Sequence, residues 1–184
     1  MIAELAVYDS ALIGPTTYPT TIHRQGRMSN LYDEWEIKNL SHRYAQAIDR
    51  GDTATWRSLF TTDVMLQTGD KPPSSYDEIV RSPELQLRRY QKTWHGVLTQ
   101  VIHVDGDHAE GEVYCLARHI WTASHNTPGD MPLALSHDMT IRYQDEYRKD
   151  DGEWKFAVRK LTIDLRTASQ VELFSDSIEL DSYR

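Results

Sequence analysis

The sequence has a single cysteine and no long hydrophobic run, and each shortage excludes a class of protein. Cys115 alone cannot form an internal disulfide or build a cysteine-rich metal site. The apolar stretches are far too short to span a bilayer. The N-terminus has neither the basic start nor the apolar segment of a secretory signal. We therefore expect a reduced, cytoplasmic protein that does not insert into membranes.

The chain also lacks an excess of positive charge. Its 20 lysines and arginines are scattered among 28 acidic residues, so the formal net charge is −8. Binding to a nucleic acid backbone needs clustered basic side chains, so we expect no nucleic acid partner. A length of 184 residues allows one well-formed core and is short for two.

Motifs for metals and cofactors are missing as well. The run from His103 to His108 resembles a metal site, but its Asp-Gly pair is ordinary hairpin-turn chemistry. No His-Glu-x-x-His motif, glycine-rich phosphate loop or Gly-x-Ser-x-Gly motif occurs. We predict that the protein uses no metal and no cofactor.

The first half of the chain has the periodicity of helices. Residues 1–28 show no clean pattern and are interpreted as an N-terminal extension. A helix capped by Ser29 or Asn30 and ending near Gly51 is then predicted. Six apolar residues fall largely on one face of it: Leu31, Trp35, Leu40, Tyr44, Ala47 and Ile48. A short helix over 55–60, a strand over 64–66 and helical segments starting at Ser75 and Ser82 follow.

From Thr93 onward the pattern changes to alternating strands. Four are predicted, over 94–104, 108–122, 133–149 and 154–166. Helices followed by an antiparallel meander indicate an α+β domain over residues 29–166, in which the sheet curls around the long helix. Residues 167–184 are interpreted as a solvated, acidic tail.

The faces of these strands suggest where a cavity lies. The odd-numbered residues of strand 108–122 are small and lead towards His119 and Trp121, as expected of a cavity wall. Cys115 lies on that face, although a small core residue is its simpler interpretation. Arg159 stands on an otherwise apolar strand face and needs an anion, either a ligand or a carboxylate such as Asp49, Glu146 or Asp164. Tyr44 and Leu66 are further candidates for the lining, with the core as the alternative for Tyr44.

Asp49, at the end of the long helix, and His95, at the start of the first long strand, are the strongest functional candidates. An acid at a helix C-terminus opposes the helix dipole and needs another reason to be there. A carboxylate that accepts from one imidazole nitrogen leaves the other nitrogen to take a proton from a substrate. A structural role for each residue alone remains the alternative.

Three features together resemble the nuclear transport factor 2-like superfamily, within it the SnoaL-like branch. They are the Ala-Ile-Asp helix end, Trp94-His95, and the hairpin Tyr147–Phe156. The branch includes scytalone dehydratase and hexachlorocyclohexane dehydrochlorinase, and the likeness covers residues 30 to about 166. It implies a cone-shaped α+β barrel, with a curved, mostly antiparallel sheet around the N-terminal helix, and a homo-oligomer, either trimer or dimer.

The resemblance also implies roles for individual residues. Asp49 and His95 stand where those lyases keep an Asp–His dyad, His119 where the dehydratase has a second active-site histidine, and Arg159 where the dehydrochlorinase has a catalytic arginine. At the positions of two dehydratase tyrosines this chain has Ile48 and Thr68, so scytalone is not the expected substrate.

The predicted function is a cofactor-independent lyase, a dehydratase or related β-elimination enzyme, acting on a hydrophobic small molecule. An isomerase or polyketide-type cyclase would use the same base. A non-catalytic scaffold, such as the small subunit of ring-hydroxylating dioxygenases, is the alternative from another class.

Overall fold

The computed structural model describes residues 24–122 and 133–172, which form a five-stranded sheet with helices packed against one face. This confirms the predicted α+β class. The predicted extension up to residue 23, the loop 125–130 and the tail beyond 172 lie outside the described residues. The elements are α1 (Arg24–Arg50), α2 (Thr53–Ser58), β1 (Phe60–Thr68), α3 (Tyr76–Ile79), α4 (Ser82–Arg89), β2 (Lys92–Asp105), β3 (His108–Thr122), β4 (Leu133–Asp150) and β5 (Glu153–Glu172).

Helix α1 differs from its prediction at its start. It begins at Arg24 rather than at Ser29 or Asn30, because no proline interrupts the preceding residues. Leu31 and Trp35 were predicted to be buried, and both are more than half exposed. At about 100° per residue, they point away from the side of Ile37, which faces the core. The buried face is formed by Ile37, Leu40, Tyr44, Ala47 and Ile48.

Two carboxylates of α1 attach the helix to the sheet. Asp33 lies in the first half of the helix and is buried. Its Oδ1 accepts hydrogen bonds from Lys149 Nζ at 2.6 Å and Trp154 Nε1 at 2.8 Å. Asp49, in the last turn, accepts hydrogen bonds from β2. The part of α1 between these two residues therefore has a defined position over the sheet.

The C-terminus of α1 ends as its sequence predicts. Gly51 has φ +67°, a left-handed conformation that costs a glycine little. Asp52 follows and caps α2 by accepting from the Thr55 amide at 3.0 Å. The capping box at Ser75 and the proline in the first turn of α4 are also present. Asp49 is thus placed in the last turn of a helix with a sharp, well-defined end.

The sheet contains the predicted four-stranded meander and a fifth strand, β1, which includes the short strand predicted over 64–66. Its order is β1-β5-β4-β3-β2, and β1 pairs with β5 in parallel. Parallel partners need a long crossover connection, so their pairing leaves no local sequence signal. β5 also continues to Glu172, beyond the predicted end at residue 166, because Leu133 to Asp138 of β4 pair with its extension.

The core lies between α1 and the concave face of the sheet. The odd-numbered face of β3 is buried as predicted, from Ala109 to His119. In β5 a bulge beside Ala157 shifts the alternation, so Phe156 and Arg159 both point inward. None of the helices in the described ranges is long and apolar enough to cross a membrane. The barrel thus has a wall of small residues that leads from an aromatic core to His119.

Candidate active site

Asp49 and His95 meet across the boundary between α1 and β2. The Nδ1 atom of His95 lies 2.7 Å from Oδ1 of Asp49, and the backbone amide of His95 donates to Oδ2 at 2.8 Å. Thr93 donates its hydroxyl to Oδ1, also at 2.8 Å. The side chain of His95 is only 7% exposed and that of Asp49 17%. Asp49 therefore orients the ring of His95, and an ionised carboxylate at Nδ1 favours the tautomer that carries its proton there.

The hydrogen bonds to Asp49 keep its carboxyl group ionised. Burial alone raises the pKa of Asp49, but hydrogen bonding and charge interaction with His95, followed by the Thr93 hydroxyl and the His95 backbone amide, outweigh burial and lower it. The carboxylate also lies at the negative end of α1, where a charge is unfavourable unless donors compensate for it. A permanently ionised Asp49 can stabilise the imidazolium that forms when His95 takes a proton.

His119 lies directly beside this pair. Its ring centroid is 5.2 Å from that of His95, and the two rings are perpendicular. It is buried, and its Nδ1 atom has no hydrogen-bond partner among the described residues. Burial, and next the charge of His95, lower its pKa to about 4. His119 is therefore a neutral imidazole at neutral pH, with a polar atom able to bind a ligand.

Aromatic rings surround the two histidines. Tyr90 packs on His119 with ring centroids 4.6 Å apart and on Trp121 at 6.0 Å. Trp121 in turn meets His137 edge-on at 4.1 Å. Trp121 was predicted here, whereas Tyr90, His137 and Thr93 were missed. The parity of β2 relative to His95 could have identified Thr93, whereas His137 depends on pairing across the sheet and Tyr90 on the packing of α4.

The structure does not bring Arg159 to the dyad. Its guanidinium binds Asp145 through Nε at 2.8 Å and Nη2 at 2.7 Å, and its side chain is 1% exposed. Asp145 pairs with Gly111 of β3, whereas His95 pairs with Ala117. These two positions are six residues apart on β3, and the guanidinium binds Asp145 rather than Asp49. The partners expected for Arg159 (Asp49, Glu146 or Asp164) were wrong, because the cross-strand neighbour of Arg159 is Asp145.

Aromatic rings and a phenol complete this buried ion pair. The Arg159 guanidinium carbon lies 4.0–4.2 Å from the ring centroids of Tyr44, Tyr143 and Phe156. The hydroxyl of Tyr147 donates to Asp145 Oδ2 at 2.9 Å. These contacts favour the structural alternative that the sequence left open for Arg159.

The other predicted lining residues divide between core and cavity wall. Tyr44 packs against Trp56, Phe60 and Phe156, as the core alternative predicted. Cys115 lies on the inner face of β3, where burial raises its pKa to about 11, so its thiol is not nucleophilic at neutral pH. Leu66 of β1 is partly buried against the core beside Arg159. Of the predicted substrate-binding residues, Trp121 is the one beside His119 and His137.

The comparisons with known proteins agree with this architecture. A family described as SnoaL-like domain matches residues 29–160. A putative scytalone dehydratase from Novosphingobium aromaticivorans superposes with a TM-score of 0.66 at 20% identity, covering 83% of this chain and 97% of that one. A type 2 hexachlorocyclohexane dehydrochlorinase, LinA, superposes with a TM-score of 0.67 at 16% identity, covering 83% and 99%. A putative aromatic ring hydroxylase from N. aromaticivorans gives 0.61 at 18% identity, covering 77% and 94%.

No curated protein sequence matches the chain. The three structural likenesses, at 16–20% identity, show that the chain shares the fold of these proteins. They leave the chemistry to be argued from the residues of this chain.

The lowered pKa of His119 predicts how stability depends on pH. The pKa of His119 in the folded protein, about 4, lies below the ordinary histidine pKa of 6.5, so the unfolded chain binds a proton in this window that the folded chain does not. Stability is therefore lost as the pH falls from 6.5 towards 4. Between about pH 7 and pH 5, the free energy of unfolding of the wild-type protein should fall by roughly 1–2 kcal/mol more than that of His119→Gln, as measured by urea unfolding. The control is His108→Gln at the exposed β2–β3 turn, and an unchanged pH dependence in His119→Gln would contradict the prediction.

The buried ion pair predicts a large structural effect for Arg159. Arg159→Met leaves the Asp145 carboxylate buried without its partner, so unfolding should become easier by about 3–5 kcal/mol. Arg142→Met is the matched control, since Arg142 pairs with Asp164 on a partly exposed surface and should cost within about 1 kcal/mol. Denaturant unfolding of both variants measures the difference. If both variants lost the same small amount of unfolding free energy, the structural role of Arg159 would be ruled out.

Proposed function

The chain belongs to the SnoaL-like domain family, and we propose that it is a cofactor-independent lyase acting on a hydrophobic small molecule. The reaction class is dehydration or a related β-elimination. The observation that carries the proposal is the short contact between Asp49 and His95, with the two side chains largely withdrawn from solvent. A purely structural histidine does not need an ionised carboxylate that selects its tautomer.

The first step of the proposed reaction is proton abstraction from carbon. Nε2 of His95 takes the proton, and the electrons of the C–H bond form a new double bond as the leaving group departs from the neighbouring carbon. Asp49 orients the imidazole and stabilises the imidazolium. General base catalysis of this type contributes on the order of 10²–10⁴-fold, so orientation in a water-poor cavity must supply the rest.

His119 is proposed to stabilise the departing group or the developing oxyanion. It is neutral at neutral pH, so it acts as a hydrogen-bond donor rather than as a cation. Its neighbours Tyr90 and Trp121 present ring faces and edges to the same region, which supports a hydrophobic substrate. With Arg159 bound to Asp145, the proposed chemistry rests on Asp49, His95 and His119.

An isomerase or cyclase would share the first step. In those reactions the carbanion is reprotonated elsewhere or attacks a carbonyl carbon instead of expelling a leaving group. A scaffold protein of the same fold would not need the Asp49–His95 contact or the partnerless Nδ1 of His119. A scaffold differs from the three enzymes because no base acts in it. The lyase, isomerase and cyclase differ in where the electron pair of the broken C–H bond goes.

A simple elimination substrate tests the base without knowledge of the natural one. In 5-nitrobenzisoxazole, removal of the ring C–H proton forms a nitrile as the N–O bond breaks, which releases a coloured phenolate. The wild-type protein should accelerate this reaction. His95→Ala should lower kcat/KM by on the order of 10²-fold or more, and Asp49→Asn by at least about tenfold.

The matched control is His108→Ala, which removes an exposed histidine from the other end of β2–β3 and should keep the wild-type rate. Circular dichroism melts verify that each variant is folded. If folded His95→Ala reacts as fast as the wild-type protein, the proposed base is wrong and only the fold assignment remains.

A further inference from the structure

Thr93 makes a hydrogen bond to Asp49 that has no part in the reaction proposed above. It lies on β2, on the inner face of the sheet, and pairs with His119 of β3. Its hydroxyl donates to Oδ1 of Asp49 at 2.8 Å, and Nδ1 of His95 lies 2.7 Å from the same oxygen. The His95 amide binds the other oxygen, Oδ2. Asp49 is therefore held by three donors, of which one is a side chain outside the dyad.

We infer that Thr93 is a positioning residue for the Asp49–His95 pair, an inference that rests on the proposed function. A carboxylate held only by the amide and the ring of His95 could rotate about its terminal bond or tilt away from the imidazole. The Thr93 hydroxyl defines the plane of the carboxylate, because it and the His95 ring approach one oxygen from two directions. The dyad is then a three-residue unit in which Thr93 acts through Asp49.

The surroundings of Asp49 give Thr93 a second task. A cavity of about 230 Å³ borders Asp49 and Thr93, and its remaining walls include Gln86, Leu87 and Tyr90. This space is large enough for water, and a polar group on its wall attracts water. The Thr93 hydroxyl occupies the lone pair of Oδ1 that a water molecule would otherwise take. It therefore keeps the stronger hydrogen bond of Asp49 directed at His95.

Threonine suits this position for two reasons. Its branched side chain restricts χ1 and favours a strand, so the hydroxyl has few alternative directions. A hydroxyl can donate to a carboxylate without adding charge. Valine has the same shape but no donor, and serine has the donor without the second branch. These two substitutions separate the hydrogen bond from the packing.

The change expected in the pKa of Asp49 determines the direction of the pH shifts in a Thr93 variant. The titratable and charged groups around the pair are His119 and Cys115 from β3, His137 from β4, Arg89 and Tyr90 from the end of α4, and Lys92 from β2. None of them changes in a Thr93 variant. Loss of the hydroxyl removes a donor that lowers the pKa of Asp49. The carboxyl group then ionises at higher pH, which moves the acidic limb of the rate profile to higher pH.

The experiment compares Thr93→Val with Thr93→Ser. In Thr93→Val we expect kcat/KM for 5-nitrobenzisoxazole to fall about tenfold, the order of one hydrogen bond to a charged group. The acidic limb of the pH–rate profile should shift to higher pH. In free protein labelled with ¹³C-aspartate, the carboxyl titration of Asp49 should also have a higher midpoint. Thr93→Ser should keep kcat/KM within about twofold of wild type. Its acidic limb and its Asp49 titration midpoint should coincide with those of the wild-type protein.

Each outcome decides the inference. Wild-type rate and an unmoved Asp49 titration in Thr93→Val would overturn it, as would a Thr93→Ser variant that is as impaired as Thr93→Val. If the valine variant does not fold, Thr93→Ala replaces it with the same expectations. The carboxyl titration needs no substrate. If His95→Ala shows that the proposed base is wrong while the Asp49 titration still moves, the Thr93 contact is real but serves another purpose.

Discussion

The ionised carboxylate of Asp49 is the interaction on which the proposed site depends. It stands in the last turn of α1, where the helix dipole disfavours negative charge, and it is largely buried. Three donors from β2 compensate for both costs. The same contacts attach the end of α1 to the sheet and hold the imidazole of His95. One set of hydrogen bonds thus serves the packing of the fold and the chemistry proposed for it.

The polar groups of the interior are divided between two levels of the barrel. At the level of Gly111, Arg159 and Asp145 neutralise each other inside a shell of aromatic rings. At the level of Ala117 and beyond, His95 and His119 lie ring against ring. One nitrogen at each level, Nη1 of Arg159 and Nδ1 of His119, has no hydrogen-bond partner among the described residues. The ion pair and ring contacts of Arg159 support a structural role, whereas the contact between Asp49 and His95 supports the chemistry proposed above.

Much of the fold could be predicted because its signals are local. The glycine at the end of α1, the capping box at Ser75 and the Asp-Gly turn before β3 each determine a conformation within a few residues. Other features depend on distant partners. The parallel pairing of β1 with β5, and the bulge beside Ala157 that turns both Phe156 and Arg159 inward, leave no local trace in the sequence.

The site shows the same division. Asp49 and His95 were predicted from the helix end and the family resemblance, and the structure places them in contact. The partner of Arg159 was not predicted from the sequence, because it follows from the register between β4 and β5. Tyr90 and His137 reach the site through the packing of α4 and the pairing of β4. The predicted homo-oligomer and the hydrophobic small-molecule substrate stay predictions.

The tautomer of His95 tests the central claim most directly. Long-range ¹H–¹⁵N spectra of histidine-labelled protein at neutral pH distinguish a protonated from an unprotonated ring nitrogen. The account predicts that His95 carries its proton on Nδ1 and has an unprotonated Nε2, and that Asp49→Asn abolishes this preference. A proton on Nε2, or the mixture of tautomers found in free histidine, would contradict it.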